Sequence, residues 1–407
     1  MNILALTSVY PQPDDKNKIT TPTVKYFCDE WNKAGHTVLV IHNKSCFPRF
    51  FYAIPKKILR VMESKLGHAI PDKESRNELQ REENGMKIYR LPMKKIIPYR
   101  KYSDKAMVEQ YNKIIKILDR DCFIPDVIVG HWVNPQMQLM MALAEKFPNA
   151  KTSLVFHSDC FGKNIMQYDL VNNIQKFDAI GCRSKSYAEY VKDVLHLNKT
   201  PFICYSGVPD EQVDKQEEYL NLNDRLIKER NFLYVGRLIK YKNVDTIIKA
   251  LSKVYPLKNF RLNIVGDGAE KNNLEILSKD LGISDNIVFW GQNYREEVFN
   301  LMRNSFCFTM VSDYETFGMV YIEALLAGCV TVASKYGGVD GVIVDGKNGF
   351  LSNQGDVDGL VKIYKRIENM DENDIQKIRE NGIKTAYGFR DSIISQKYLD
   401  DILSWKD

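Results

Sequence analysis

The amino-acid sequence predicts an α/β protein with two Rossmann-like, doubly wound domains that face each other across a cleft. Its 407 residues exceed the roughly 150 residues of one ordinary domain. In both halves, short apolar β-type runs alternate with helical patterns, which is typical of parallel sheets covered by helices on both faces. We expect residues 1–208 to form the first domain and residues 209–388 to form the second.

The first half begins with a strand pattern at 2–8, a helical pattern at 24–33 and a second strand pattern at 36–41. This order predicts a parallel βαβ unit, in which the carboxyl end of the first strand and the loop after it face a ligand. A basic insertion follows. The alternation then resumes with a helix at 103–118 and strands at 126–132, 153–157 and 179–184.

The second half repeats the alternation from residue 231 onward. Its apolar runs end in GRL, GDG, WGQ and SDYETFG, and a helical pattern follows each of them. Ligands of such sheets bind outside the carboxyl ends of the strands, so these four segments should meet at one ligand-binding edge.

Composition argues against several classes of protein. The first residues lack the basic region and long apolar run of a secretory signal, and no stretch approaches the about 18 apolar residues of a membrane helix. The eight cysteines are scattered without a C-x-x-C pair, which argues against a disulfide framework or zinc site and favours a reducing cytoplasm. We expect no nucleic-acid partner and no metal.

Positive charge is concentrated in one stretch of the first half. The net charge is only +5, yet sixteen Lys or Arg residues stand against seven Asp or Glu between Lys44 and Lys105. Aromatic and aliphatic residues interleave with this charge at 49–66 and 93–102. Such a pattern predicts that residues 49–105 bind an anionic surface at the inner face of the membrane. An ordinary helix with a solvated basic face is the alternative.

Two carboxylates, Glu315 and Glu323, flank the start of a short predicted helix. Gly318 allows a tight turn, helix-forming residues follow it, and Gly328 ends the helix. The unpaired N–H groups of a helix N-terminus bind phosphate well, so the stretch suits a molecule that joins a sugar, a diphosphate and a ribose. A buried helix with two solvated or capping acids is the alternative.

Two cations are predicted at the same sheet edge. Arg237 follows Gly236 at the end of a strand, and Lys242 comes five residues later. A guanidinium that grips two oxygens and an ammonium that acts as a point charge suit a diphosphate. Gly266 and Gly268 would let the backbone approach the ligand, although a tight turn explains this pair almost as well.

His157 ends a strand of the first half and is predicted to face the cleft from the opposite wall. His131 is placed similarly, and a structural role is the alternative for both. The triplets Asp119-Arg-Asp121 and Asp356-Val-Asp358 do not follow buried strands, so we interpret them as solvated acids rather than metal ligands.

One combination of segments is more specific than any of its parts. The GRL motif with its lysine, VGDG, ETFGMVYIE, and ASKYGGV followed by DGKNGFL together resemble the C-terminal domain of family four retaining glycosyltransferases, of the glycosyl transferases group 1 type. Members of that family have the two-domain GT-B fold. The resemblance covers nearly the whole chain and is strongest at 231–351.

The resemblance implies a nucleoside diphosphate sugar as donor substrate, with no cofactor and no obligatory metal. Arg237 and Lys242 would neutralise the diphosphate, and Glu323 would bind the ribose. Glu315 and the backbone of Phe317, Gly318, Met319 and Val320 would hold the donor sugar. His157 would lie near the transferred sugar, and residues 389–407 would return as a helix to the first domain.

The sequence departs from this family at three places. The loop after the first strand reads PQPDDKNKITTP in place of a glycine pair, the usual G-G-x-P-E is Gly337 to Gly341 without its proline and acid, and the usual N-G-V is Ser206-Gly207-Val208. These departures predict a divergent acceptor side.

The sequence therefore predicts a retaining glycosyltransferase that moves a sugar to a hydroxyl of a glycan or lipid-linked glycan in surface polysaccharide synthesis. Glu315, His157, Arg237 and Lys242 are its catalytic candidates. A nucleotide-sugar epimerase of the same fold and a non-catalytic sugar-nucleotide-binding subunit are the alternatives.

Overall fold

The structure is a computed structural model that describes residues 1–13, 21–48, 52, 54–55, 76–95, 101–157, 162–215, 229–257 and 259–405. Much of the predicted membrane-binding stretch, at 49–51, 53, 56–75 and 96–100, lies outside these residues. The chain divides into two compact units. The first comprises Met1–Arg183, Tyr187–Cys204 and Ile394–Asp407, and the second comprises Ser184–Ser186 and Tyr205–Ile393.

The first unit contains an eight-stranded sheet with the strand order β3-β4-β2-β1-β5-β6-β7-β8. Every neighbouring pair is parallel except β3–β4. The order reverses on either side of β1, as in a doubly wound sheet. The strands are β1 Asn2–Thr7, β2 Thr37–Cys46, β3 Leu79–Glu83, β4 Met86–Lys94, β5 Val127–His131, β6 Lys151–Phe156, β7 Ala179–Cys182 and β8 Phe202–Ile203.

The antiparallel hairpin β3–β4 lies within the basic insertion and was not predicted from the sequence. Asn84 and Gly85 join the two strands with φ angles of 52° and 83°. A two-residue Asn-Gly connection with two positive φ angles is the favoured hairpin turn, so the dipeptide was a readable signal.

Helices cover the first sheet and bury apolar faces against it. In the first of them Val24, Phe27 and Trp31 are about 1% exposed, and their spacing places them on one side of the helix. The helices are α1 Thr23–Lys33, α2 Asp104–Arg120, α3 Gln136–Lys146, α4 Lys163–Gln167, α5 Leu170–Asn173 and α6 Lys185–Val194.

The second unit contains a six-stranded sheet in the order β11-β10-β9-β12-β13-β14, and all its pairs are parallel. The strands are β9 Asn231–Val235, β10 Arg261–Val265, β11 Ile287–Gly291, β12 Cys307–Met310, β13 Val330–Ser334 and β14 Phe350–Ser352. Its helices are α7 Asp210–Asp214, α8 Val244–Val254, α9 Lys271–Asp280, α10 Arg295–Arg303, α11 Met319–Leu326, α12 Val357–Glu368 and α13 Glu372–Tyr387.

The last helix, α14 at Asp391–Ser404, belongs to the first unit from Ile394 onward. The indole N–H of Trp31 on α1 donates a 2.8 Å hydrogen bond to the Ser395 carbonyl. Tyr398 is 1% exposed among the aromatic residues of that unit. No helix in the described part of the chain has both the length and the apolar character needed to cross a membrane.

Candidate active site

The short helix α11 begins at a glycine that no other residue could replace without strain. Gly318 has a φ of 80°, and a Cβ there would lie 2.7 Å from the Tyr321 ring and 3.0 Å from Cγ of Glu315. The Glu315 side chain therefore packs directly against the helix start. Because the first N–H groups of a helix lack intrahelical partners, this end can bind an anion beside a carboxylate.

Lys242 and Glu315 form an ion pair at the carboxyl ends of the neighbouring strands β9 and β12. The Lys242 ammonium lies 2.5 Å from Oε2 of Glu315, and the two side chains are 11% and 19% exposed. The family resemblance implies a diphosphate contact for Lys242 and a sugar contact for Glu315, and the structure brings the two side chains together. An ammonium has three donors, so this bond leaves capacity for a further acceptor.

Backbone and amide hydrogen bonds hold the two loops that carry this pair. Asn243, which has a φ of 52°, donates from Nδ2 to the Val311 carbonyl at 3.0 Å and to the Asp313 carboxylate at 2.5 Å. The Asp313 N–H donates to the Tyr241 carbonyl at 2.8 Å. These contacts fix the distance between Lys242 and the loop before α11, and sequence reasoning did not find them.

The glycines at the ends of β9 and β10 pack the loops against each other. A Cβ at Gly266 would overlap the Gly236 carbonyl oxygen, and one at Gly268 would overlap the Leu238 carbonyl oxygen. This close packing explains why both positions are glycine. The approach of their backbone to a ligand stays a prediction. Arg237 is exposed, and its carbonyl accepts a 3.0 Å hydrogen bond from the Tyr234 hydroxyl.

Glu323, in the second turn of α11, is paired with a residue that sequence reasoning missed. Arg295, the first residue of α10, forms an ion pair with Oε1 of Glu323. Arg295 comes directly after the WGQNY segment. Its position shortly after the end of a strand was the one signal in the sequence that it could have a functional role. Each of the two predicted acids thus lies against a cation from a neighbouring loop.

The remaining predicted residues around the start of α11 differ in their burial. Phe317 is 2% exposed, and its ring packs on Tyr205 and Phe389 at centroid distances of 5.0 Å and 5.9 Å. Met319 and Val320, which open the helix, are half-buried. The Phe317 side chain therefore belongs to the core, while the backbone that follows it begins the helix.

Two tyrosines beside Glu315 keep their protons. Burial raises the pKa of Tyr234 and of Tyr321, and the negative charge of Glu315 raises both further. The Tyr321 hydroxyl donates a 2.7 Å hydrogen bond to the Met310 carbonyl. Both hydroxyls support the ends of strands, since Tyr234 also donates to a backbone carbonyl.

In the first unit, His157 and His131 are in contact. Nε2 of His157 lies 3.0 Å from Nδ1 of His131, and the His157 ring stacks on Trp132 with a centroid distance of 3.8 Å. Nε2 of His131 lies 3.5 Å from the Tyr398 hydroxyl. Burial, assisted by the positive charge of Arg183, lowers the pKa of His131 to about 3 and that of His157 well below its usual value.

The loop after β1 is anchored at its described end. Gln12 Nε2 donates to Nδ1 of His42 at 3.0 Å, and Nε2 of His42 lies 3.2 Å from the Ser8 carbonyl. Arg81 on β3 donates to Oε1 of Gln12 at 2.9 Å. Residues 14–20 of this loop, where the sequence departs from the resembled family, lie outside the described residues.

The Asp-x-Asp triplets have structural partners. Asp121 accepts a 2.6 Å hydrogen bond from the Tyr89 hydroxyl, and Asp356 caps α12 by accepting the Gly359 N–H at 2.8 Å. The interpretation of these acids as solvated was therefore incomplete. Among the described residues, no group of three or more His, Cys, Asp or Glu side chains is arranged to hold a metal ion.

Residues 215–385 match the family model described as glycosyl transferases group 1. This segment of the chain is therefore similar to the glycosyl transferases group 1 family. It contains the Lys242–Glu315 pair, the Gly318 helix start and the Arg295–Glu323 pair.

Two curated relatives match about half of their own length. The chain is 26% identical over 209 residues to N-acetyl-alpha-D-glucosaminyl L-malate synthase of Bacillus anthracis, covering 51% of this chain and 53% of that protein. It is 28% identical over 172 residues to the lipopolysaccharide core biosynthesis glycosyltransferase LpsE of Rhizobium meliloti, covering 42% of this chain and 48% of that protein.

Solved structures match the fold over nearly the whole chain. Sucrose-phosphate synthase of Thermosynechococcus elongatus has a TM-score of 0.71 at 17% identity, covering 98% of both chains. HepE of Anabaena, solved in complex with UDP, has a TM-score of 0.65 at 17% identity, covering 99% of this chain and 100% of that chain. The predicted fold class, an α/β protein with two parallel-sheet domains of the GT-B type, is confirmed.

Proposed function

We propose that this chain is a retaining, metal-independent glycosyltransferase that moves a sugar from a nucleoside diphosphate sugar to a hydroxyl of a glycan or lipid-linked glycan. The observation that carries the proposal is the Lys242–Glu315 ion pair beside the Gly318 helix start, within the segment that matches the glycosyl transferases group 1 model. A cation, a carboxylate and an anion-binding helix end lie within one set of loops, as a sugar diphosphate requires.

Similar proteins support the donor class and the process. The structure of HepE holds UDP, and LpsE acts in lipopolysaccharide core biosynthesis by its name. We therefore favour a nucleoside diphosphate sugar as the donor. We favour a glycan or lipid-linked glycan of surface polysaccharide synthesis as the acceptor.

In the proposed reaction, the bond between the anomeric carbon and the diphosphate oxygen breaks as the acceptor hydroxyl attacks the same face of the sugar. Lys242, Arg237 and the N–H groups after Gly318 stabilise the negative charge that develops on the leaving diphosphate. A diphosphate oxygen accepts the proton of the acceptor hydroxyl. No protein side chain is then required as a base.

The two carboxylates bind hydroxyl groups at opposite ends of the donor. Glu315, held by Lys242, accepts hydrogen bonds from the transferred sugar, while Glu323, held by Arg295, accepts them from the ribose. An ionised carboxylate has two oxygens and accepts several hydrogen bonds, so each can bind a cation and a hydroxyl together.

Substitution of Lys242 tests the assignment. Removing one preorganised electrostatic contact typically costs about 100- to 1000-fold in rate, and we expect a loss of this size in Lys242→Ala and a similar loss in Glu315→Ala and Arg237→Ala. Lys253→Ala is the matched control, because Lys253 pairs with Asp358 in an exposed ion pair, 2.9 Å long, on α8 and α12. Transfer would be measured with the nucleotide sugar that raises the melting temperature most. Full activity of Lys242→Ala or Glu315→Ala would refute the proposal.

We also propose that the basic stretch 49–105 binds the inner face of an anionic membrane, on the support of its charge and interleaved aromatic residues. Sedimentation with vesicles that contain phosphatidylserine tests this. Binding that weakens as salt rises is expected, and no binding at low salt would contradict it.

A further inference from the structure

A chain of three polar side chains runs through the interior of the first unit. It joins His157, which follows β6, to His131 at the end of β5 and to Tyr398 on α14. The two imidazoles approach to 3.0 Å, and the Tyr398 hydroxyl lies 3.5 Å from the far nitrogen of His131. The family resemblance implies a role near the transferred sugar only for His157, and it gives none to His131 or Tyr398.

Packing fixes all three rings. His131 is 0% exposed and Tyr398 is 1% exposed. Phe27 stacks on His131 with 21° between the ring planes, and the Tyr398 ring meets His131 edge-on at 86°. Trp132 stacks on His157 at 13°. Rotation of either imidazole would break these contacts, so the nitrogens that face each other stay the same.

Both imidazoles are neutral at pH 7, because burial and the charge of Arg183 lower the pKa of each. A neutral imidazole has one N–H and one lone-pair nitrogen. One proton therefore lies in the contact between His131 and His157. Burial also raises the pKa of Tyr398, which keeps its hydroxyl proton.

The tyrosine determines which imidazole donates. The Tyr398 hydroxyl also meets the Ser153 hydroxyl, but an imidazole lone pair is a stronger acceptor than a hydroxyl oxygen, so Tyr398 donates to Nε2 of His131. The proton of His131 must then be on Nδ1, where it is donated to Nε2 of His157. The proton of His157 is left on its other nitrogen, Nδ1.

We propose that Tyr398 and His131 are positioning residues that hold His157 as its Nδ1–H tautomer, so that His157 presents a hydrogen-bond donor to an oxygen of the bound sugar substrate. The identity of that substrate rests on the proposed function, whereas the tautomer does not. His157 then orients an oxygen and takes no proton from it. The proposal also gives the return of α14 to the first unit a consequence for His157.

Nitrogen-15 labelling of the six histidines tests the tautomer directly, because long-range ¹⁵N–¹H correlations show which ring nitrogen carries the proton. Signals are assigned from their loss in His131→Asn and in His157→Asn. We expect Nδ1–H in both residues. In Tyr398→Phe, which lacks only the hydroxyl, we expect His157 to shift to Nε2–H and kcat to fall about tenfold, as for one lost hydrogen bond.

Two further variants separate positioning from stability. Tyr89→Phe is the matched control, since Tyr89 is 3% exposed and its hydroxyl donates to Asp121, which precedes β5 at the opposite edge of the sheet. We expect it to lower the melting temperature to a similar extent and to leave both the His157 tautomer and kcat unchanged. In His131→Asn, the side-chain amide donates in place of the Nδ1–H of His131, so His157 should keep its tautomer. Adding Tyr398→Phe to this variant should then change neither the His157 tautomer nor kcat.

The proposal is overturned if His157 of the wild type carries its proton on Nε2, or if Tyr398→Phe leaves the tautomer unchanged. It is also overturned if Tyr89→Phe lowers kcat as much as Tyr398→Phe. The spectra need no sugar transfer, so a failure of the proposed function would leave them interpretable and the two failures can be told apart.

Discussion

The Arg295–Glu323 ion pair makes a quantitative prediction about nucleotide binding. The side chains are 31% and 12% exposed, so the pair is neither fully solvated nor fully buried. An exposed pair contributes about 0.2–1 kcal/mol, and a hydrogen bond to a charged group about 1.5–3 kcal/mol. Their partial burial places this pair at about 1–2 kcal/mol, which is about a 5- to 30-fold change in affinity.

Arg295→Ala leaves the Glu323 carboxylate without the guanidinium that, in the proposed function, orients it toward the ribose. We expect the Kd of the nucleoside diphosphate and the KM of the donor to rise about 5- to 30-fold. The ribose is remote from the bond that breaks, so its contacts are the same in the ground state and the transition state and kcat should change little. Titration calorimetry and steady-state kinetics measure the two quantities.

A double-mutant cycle shows whether Arg295 acts through Glu323. Glu323→Gln should weaken binding by itself, and Arg295→Ala should then have little further effect. Arg261→Ala is the control for a general loss of positive charge, because Arg261 is exposed and begins β10 at the opposite edge of the sheet. An equal effect of Arg295→Ala with and without Glu323, or a fall in kcat at constant KM, would contradict a role of Arg295 through Glu323.

Two further predictions concern stability. Gly266→Ala should lower the free energy of unfolding by more than about 3 kcal/mol, because the Cβ would overlap the Gly236 carbonyl oxygen. Gly35 also has a positive φ, of 87°, but it has open space around it, so Gly35→Ala should lower the free energy of unfolding by only about 1–2 kcal/mol. Chemical denaturation compares the two, and an equal cost would show that loop packing is not the reason for Gly266. The free energy of unfolding should also fall as the pH drops below about 6.5, by up to about 1.4 kcal/mol per pH unit for each buried imidazole, because the unfolded chain binds the proton more readily. Because the folded pKa of His131 is about 3, this residue should keep lowering the free energy of unfolding until the pH reaches that value. An unchanged dependence of the free energy of unfolding on pH in His131→Asn would contradict this.

Local sequence signals predicted the helix start of the second unit well. Gly318 and Gly328 both have positive φ angles, at 80° and 76°, and they bound a helix whose second half, Glu323 to Leu326, consists of strong helix formers. The strand ends that carry Lys242 and Glu315 were placed at one edge because parallel strands align their carboxyl ends. The sheet order β9–β12 then made these two residues neighbours.

Contacts between distant segments could not be predicted in this way. His131 and Tyr398 are 267 residues apart, and no local pattern at either position refers to the other. Arg295 has the same difficulty, since an arginine at a helix start is usually a surface residue and only the packing of α10 beside α11 brings it to Glu323. Sequence reasoning therefore located both Glu315 and Glu323. Of the two cations that pair with them, it found Lys242 but not Arg295.

The pairing of Lys242 with Glu315 joins the phosphate end and the sugar end of the proposed donor site. Asn243 and Asp313 tie the same two loops together, so removing one charged partner leaves the backbone of the other in place but removes the contact that orients its side chain. The effects of Lys242→Ala and Glu315→Ala on transfer should therefore not add, as is found for residues that act as one unit. Of this pair, a nucleoside diphosphate without a sugar contacts only Lys242. It should still bind more weakly to Glu315→Ala, because the Lys242 ammonium loses the carboxylate that orients it.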